Sequence, residues 1–187
     1  MKKGLIIGGV IVGVIVVLVM MFAGTYNGLV SKEEEVEGKL ADISVQLERR
    51  ADLIPNLVST VKGYAAHEKE VIDSITTSRE KLLNAGSAEE MAEANQDLTN
   101  AINNLLVIVE NYPDLKANTN FVDLQNQLKD VEEKISYARQ FYNDSVLMYN
   151  NKVEMVPSNI VASIFGFKKE TFFEADEKER ENVKVKF

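Results

Sequence analysis

The chain has 187 residues, a net charge of −8, 45% apolar residues, one histidine and neither cysteine nor tryptophan. Without cysteine there are no disulfides, thiol nucleophiles or cysteine-type zinc and iron–sulfur sites. Lys2 and Lys3 are the only charges before residue 32, so the remainder carries 19 basic and 29 acidic residues, a balance that argues against nucleic-acid binding and against adsorption to an anionic lipid surface by charge alone.

Residues 1–4 form a short basic N-terminus, and residues 5–23, LIIGGVIVGVIVVLVMMFA, are uncharged and apolar. At ~1.5 Å per residue such a run crosses the ~30 Å hydrocarbon core as a helix. A cleaved signal peptide is the rival, but its apolar region is usually only ~7–15 residues and ends in small residues; here Met21 stands where a small residue would be wanted. The run therefore reads as an uncleaved anchor whose partner is the lipid bilayer. Lys2 and Lys3 before it, against the acidic flank at Glu33, Glu34, Glu35 and Glu37, place the N-terminus in the cytoplasm and the following domain outside by the positive-inside rule. Gly4, Gly8, Gly9 and Gly13 are spaced to let two spans approach closely, which predicts packing between copies.

Residues 24–29 read as a juxtamembrane joint, with Tyr26 at the interface. A helix is then expected over about 30–84. Val36, Leu40, Ile43, Leu47, Ile54, Leu57, Val61 and Tyr64 advance by threes and fours, Arg50 fills one slot, and Val45, Leu53 and Val58 widen the stripe. That width suits a bundle better than a two-stranded coiled coil. Pro55 leaves the Ala51 carbonyl without its helical donor, which predicts a kink. Asn84-Ala85-Gly86 ends the helix, with Gly86 suited to a left-handed position, and Ser87-x-x-Glu90 is a capping box. The stripe of this first helix continues through Val71, Ile72, Ile75 and Leu82. Further helices are expected over about 88–112, 121–156 and 159–165, the first with a stripe of Met91, Ala94, Leu98, Ile102, Leu105, Ile108 or Val109 and Tyr112, the second with Phe121, Leu124, Leu128, Val131, Ile135, Ala138, Tyr142, Ser145 and Tyr149. Pro113 and Pro157 stop the first two, a single turn is expected at 114–117, Ser158 caps the last and Gly166 closes it. Residues 30–167 thus form the bundle, and 168–187 a charged tail with Phe172, Phe173 and Phe187 that is either docked or frayed. The fold class is all-α: an N-terminal transmembrane helix followed by a long antiparallel three- to four-helix bundle.

No catalytic, metal or cofactor site emerges. His67-Glu68 lacks the second histidine one turn on that a zinc protease helix needs, position 71 being Val, so His67 reads as a surface residue of the helix. The acidic run at 33–37 lacks the turn of a calcium cage. Polar residues within the stripes are more telling. Asp42, Gln46 and Arg50 are spaced to form a ladder along one helix, and Arg139 and Asn143 to form a second pair. A buried Arg50 must be paired.

These residues also carry a resemblance. VQLERRADLIPNLVSTVKGYAAHE after the span, and ISYARQFYNDSVLMYNNKVEMVPSNIVASIFGF followed by FF, resemble the two signatures of the LemA family. The matching positions are Gln46, Arg49, Arg50, Asp52, Leu53, Pro55, Asn56, Lys62, Tyr64, Arg139, Tyr142, Asn143, Asn150, Pro157, Phe165, Gly166 and Phe167, while Glu48 departs from a commonly basic position. The resemblance implies a bacterial single-span membrane protein with a long antiparallel helical bundle and brings no established catalytic site. Gln46, Arg49, Arg50, Asp52, Pro55, Asn56, Lys62, Arg139, Tyr142, Asn143 and Asn150 are accordingly candidates for bundle register or partner binding. The expected role is a non-catalytic interaction protein of the envelope, binding a membrane-protein partner or itself. A homo-oligomeric membrane scaffold is the alternative, and a hydrolase using His67 the least favoured.

Overall fold

The computed structural model describes residues 2–174, with side chains from Ile6 onward. Among these residues there are helices and no strands: α1 Lys2–Lys62, α2 Lys69–Asn84, α3 Ala88–Val109, α4 Pro113–Lys116, α5 Thr119–Glu154 and α6 Ser158–Phe165. The expected tail pattern around Val183, Val185 and Phe187 lies outside the described residues.

The first long helix differs from expectation in two ways. Residues 24–29 are no joint, because α1 runs unbroken through Gly24 and Gly28. Each glycine costs only about 1 kcal/mol of helix propensity, which strong helix formers on both sides outweigh. The break comes instead after Lys62, where Gly63–Glu68 links α1 to α2. Pro55 lies inside α1 without ending it. His67, expected on a helix, is exposed in that link.

The chain forms two compact units, to both of which α1 and α5 contribute. One comprises the chain up to Gly38 with Asp144–Glu170. Its apolar N-terminal helix is long and hydrophobic enough to cross a membrane. Beyond that segment, Leu29 is fully buried against Val161 and Ala162 of α6, with Val153 and Phe167 packed alongside. Gly28 has no Cβ where the Lys152 side chain lies across α1. The end of α5 is shaped by Ser158, whose hydroxyl donates to the carbonyls of Lys152 and Met155 at 2.6 and 2.9 Å. Ser158 therefore satisfies the C-terminus of α5 rather than capping α6, as the sequence had implied. Gly166, at φ 81°, closes α6 in the left-handed conformation expected of it.

The other unit comprises Lys39–Asn143 and, among the described residues of the tail, 171–174. Its core takes Ile43, Leu47, Ile54, Leu57 and Val61 from α1, Ile72 and Ile75 from α2, Leu98 and Leu105 from α3, and Phe121, Val131 and Ile135 from α5. These are the predicted stripes, with Val45 and Tyr64 the exceptions at 59% and 45% exposed. A three-residue link makes α2 and α3 an antiparallel hairpin. The capping box at Ser87 and Glu90 forms as expected. Gly86 is not left-handed; its N–H donates to Glu90 Oε2 at 2.8 Å, so the same glutamate holds the turn.

Candidate functional site

The motif around residues 45–62 divides into a buried and an exposed set. Arg50, at the stripe position, is 4% exposed. Its Nη1 donates to Asn95 Oδ1 of α3 at 2.5 Å and lies 2.9 Å from Glu132 Oε2 of α5. One guanidinium thus joins three helices. Burial pulls its pKa down and the Glu132 charge opposes that; a guanidinium stays charged regardless, so the pairing must hold the charge. Arg50 Nε and Gln46 Oε1 are buried without a hydrogen-bond partner among the described residues, and Glu132 Oε2 meets Arg50 as an ion pair without hydrogen-bond geometry. The ladder read from sequence does not form, since Asp42 pairs with Lys39 at 3.2 Å and Arg50 with other helices. Arg50 satisfies more of its donors across helices than along one.

Pro55 has a partner that sequence reasoning missed. The Ala51 carbonyl, freed by the proline, accepts from Arg79 Nε of α2 at 2.9 Å. A visible signal existed: Arg79 occupies the slot between Ile75 and Leu82 on the apolar stripe of α2. Asn95, buried between Met91 and Leu98, gives the same kind of signal on α3.

The second candidate pair does not meet internally either. Arg139 lies over the Phe173 ring, 5.3 Å from its centroid. Asn143 brackets the Phe173 backbone, donating to its carbonyl at 3.2 Å and accepting from its N–H at 2.8 Å. Tyr142, buried, donates to the Thr171 carbonyl at 2.8 Å. Phe173 is 1% exposed, so this part of the tail docks. Asn150 repeats the device within the other unit, pairing with the N–H and carbonyl of Glu170, each at 2.9 Å. Nearby, the Tyr149 hydroxyl donates to Glu33 Oε1 at 3.2 Å; burial first, and then the glutamate charge, push its pKa well above the ordinary 10.0. Glu33 is therefore engaged, where the sequence had implied a solvated face.

The exposed set is different. Val45, Arg49, Asp52 and Asn56 recur by steps of four, three and four, so they share one face of α1, and all four are exposed. Pro55 and Lys62 flank that face and are also exposed. The nearest charge effect is modest: the Asp130 carboxyl is held below its usual range first by the Lys134 hydrogen bond, with Arg49 a smaller cause. In the span, a Cβ built at Gly8, Gly9 or Gly13 would meet nothing within 4 Å. Gly4 is helical, and its surroundings are outside the described side chains. Among the described residues, no three histidine, aspartate or glutamate side chains gather as metal ligands would.

The sequence profile of the LemA family matches residues 39–187. This chain belongs to the LemA family. The family match begins after the apolar stretch and takes in Arg50, Pro55, Arg139 and Asn143. The chain is similar to Protein LemA of Metamycoplasma hominis, 26% identical over 167 residues, covering 87% of this chain and 75% of that protein. It is also similar to magnetosome protein MamQ of Magnetospirillum gryphiswaldense, 25% identical over 174 residues, covering 79% of this chain and 64% of MamQ. A MamQ of Paramagnetospirillum magneticum matches at 25% over 175 residues, again with 64% of its length covered. This LemA-family chain thus spans less than two thirds of the MamQ proteins it matches.

Proposed function

We propose that this LemA-family protein is a membrane-anchored interaction protein of the bacterial envelope that binds a membrane-protein partner, or a second copy of itself, and catalyses nothing. The observation that carries this reading is the exposed face of α1 bearing Arg49, Asp52 and Asn56, with Lys62 beside it. Charged and amide groups there give a partner directional contacts, and the bare Val45 adds an apolar one. The long apolar helix supplies the anchor, and the two N-terminal lysines favour a cytoplasmic N-terminus with the bundle outside.

Site-specific photo-crosslinkers at Arg49, Asp52, Asn56 and Lys62 in native membranes test the proposal. A discrete partner or a dimer captured at these positions supports it; capture of neither overturns it. His67→Ala leaves the in vivo function intact on this reading, and loss of function would favour a hydrolase.

A second reading, a homo-oligomeric scaffold, is favoured by the open surface at Gly8, Gly9 and Gly13. Replacing Gly8 and Gly13 by Leu then dissociates the assembly in mild detergent, and an unchanged particle size counts against it.

A further inference from the structure

Residues 155–167, MVPSNIVASIFGF, contain no charge, and Lys168 and Lys169 follow directly. A stretch of 10–14 such residues is too short to span a bilayer and belongs either in a core or at an interface. The structure distinguishes the two. Val161 and Ala162 face inward on Leu29, but Ile160 and Ile164 are 51% and 63% exposed, and Val156 before them is 80% exposed. Only part of this segment is used for the core.

The remainder sits beside the anchor. Phe165 packs on Tyr26 with ring centroids 4.7 Å apart. It also faces Leu18, Val19 and Phe22 across an open apolar groove of about 460 Å³. Those three residues belong to the last turns of the apolar run, and Tyr26 follows Ala23 by three residues, or ~4.5 Å along the helix. Phe165 therefore shares the depth of the end of the hydrocarbon segment. An exposed apolar face continuous with a transmembrane helix, ending in two lysines, has the pattern of an interfacial helix.

We propose that α6 lies in the interface of the same bilayer that takes the anchor, with Val156, Ile160, Ile164 and Phe165 among the lipids and an acyl chain in the groove against Leu18 and Phe22. The proposal rests on the anchoring reading above and adds a second lipid contact to it. The membrane then orients the end of α1 through two elements rather than one, and insertion of α6 is independent of any protein partner.

The chain has no native cysteine, so single-cysteine variants of the full-length protein report cleanly. Environment-sensitive fluorophores are placed at Ile160→Cys and Ile164→Cys, with Val17→Cys as the in-span reference and Glu37→Cys as the aqueous one. Glu37 lies eleven residues beyond Tyr26 on α1, or ~16 Å. Each is reconstituted at one chain per phosphatidylcholine/phosphatidylglycerol nanodisc, with or without lipids brominated on their acyl chains. The expected result is quenching by brominated lipid at Ile160 and Ile164 of at least about half that at Val17, with little at Glu37. Quenching of both α6 positions by aqueous iodide as at Glu37, while Val17 stays lipid-quenched, overturns the proposal and leaves the anchor standing. Protection from both quenchers means protein covers α6 and also overturns it. If Val17 itself escapes the lipid, the anchor fails and this proposal fails with it.

Discussion

Arg49 and Arg50 are neighbours in sequence and opposites in the structure. Arg50 points into the bundle, 4% exposed, and ties α1 to Asn95 and Glu132 on two other helices. Arg49 lies on the outer face with Asp52 and Asn56, and is a minor cause of the lowered Asp130 pKa. The buried member of the motif joins three helices, while the exposed members face outward, where the proposed function gives them to recognition.

Substitution at Arg50 should disturb the fold most. Arg50→Ala leaves buried Asn95 without its donor and half-exposed Glu132 without its ion-pair partner, at a cost of about 3 kcal/mol. Denaturant unfolding of the detergent-solubilised protein measures it. Arg50→Met combined with Asn95→Leu, which leaves fewer polar groups stranded, recovers much of the loss. A change below about 1 kcal/mol for Arg50→Ala would mean that the three-helix junction holds little of the structure.

At Asn143 the same logic applies to the tail. Asn143→Ala removes both hydrogen bonds to the Phe173 backbone and should cost about 1–3 kcal/mol. Hydrogen exchange reads it directly, because the Phe173 amide loses its acceptor and exchanges faster, while amides of α3 do not.

Arg79 offers a sharper test because its role exists only through Pro55. Arg79→Ala strands the Ala51 carbonyl at a cost of about 1–3 kcal/mol. In a Pro55→Ala background the helix supplies its own N–H to that carbonyl, and Arg79→Ala should then cost markedly less. Additivity of the two changes, measured by a double-mutant cycle, would contradict this pairing.

Tyr149 sets a pH dependence in the other unit. Its pKa is raised by burial and by Glu33, so the folded state holds its proton where the unfolded state has released it. Stability from this group is full below the ordinary value of 10.0 and falls as pH rises beyond it. Melting curves of the wild type should therefore decline more steeply above pH 10.0 than those of Tyr149→Phe.

Much of this was legible in the sequence, and what was missed follows a pattern. Periodicity marked the buried positions of α5 from Phe121 to Tyr149 because burial on one helical face is a local property. It also exposed Arg50 as a charge in the core. It did not reveal that Arg50 would find Asn95 and Glu132, since partners on other helices depend on register, which no local spacing encodes. Asp42 and Gln46 were the partners available within one helix, and the structure uses neither. The break at Gly63 was hidden because Val61 and Ile72 continue an apolar pattern on both sides of it. At Pro55 the missing donor was foreseeable, and Arg79 stood out as a charge on the apolar stripe of α2, but no local spacing paired the two.

The smallest effects on stability belong to the outer face. Arg49→Ala and Asp52→Ala should each change stability by no more than about 0.5 kcal/mol, as surface substitutions do. The most direct measurement combines Arg49→Ala, Asp52→Ala and Lys62→Ala in the full-length protein and compares its melting temperature and its crosslinked complexes in native membranes with those of the wild type. An unchanged melt and loss of the crosslinked complex are expected; an intact complex, or a bundle that no longer folds, would contradict recognition through this face.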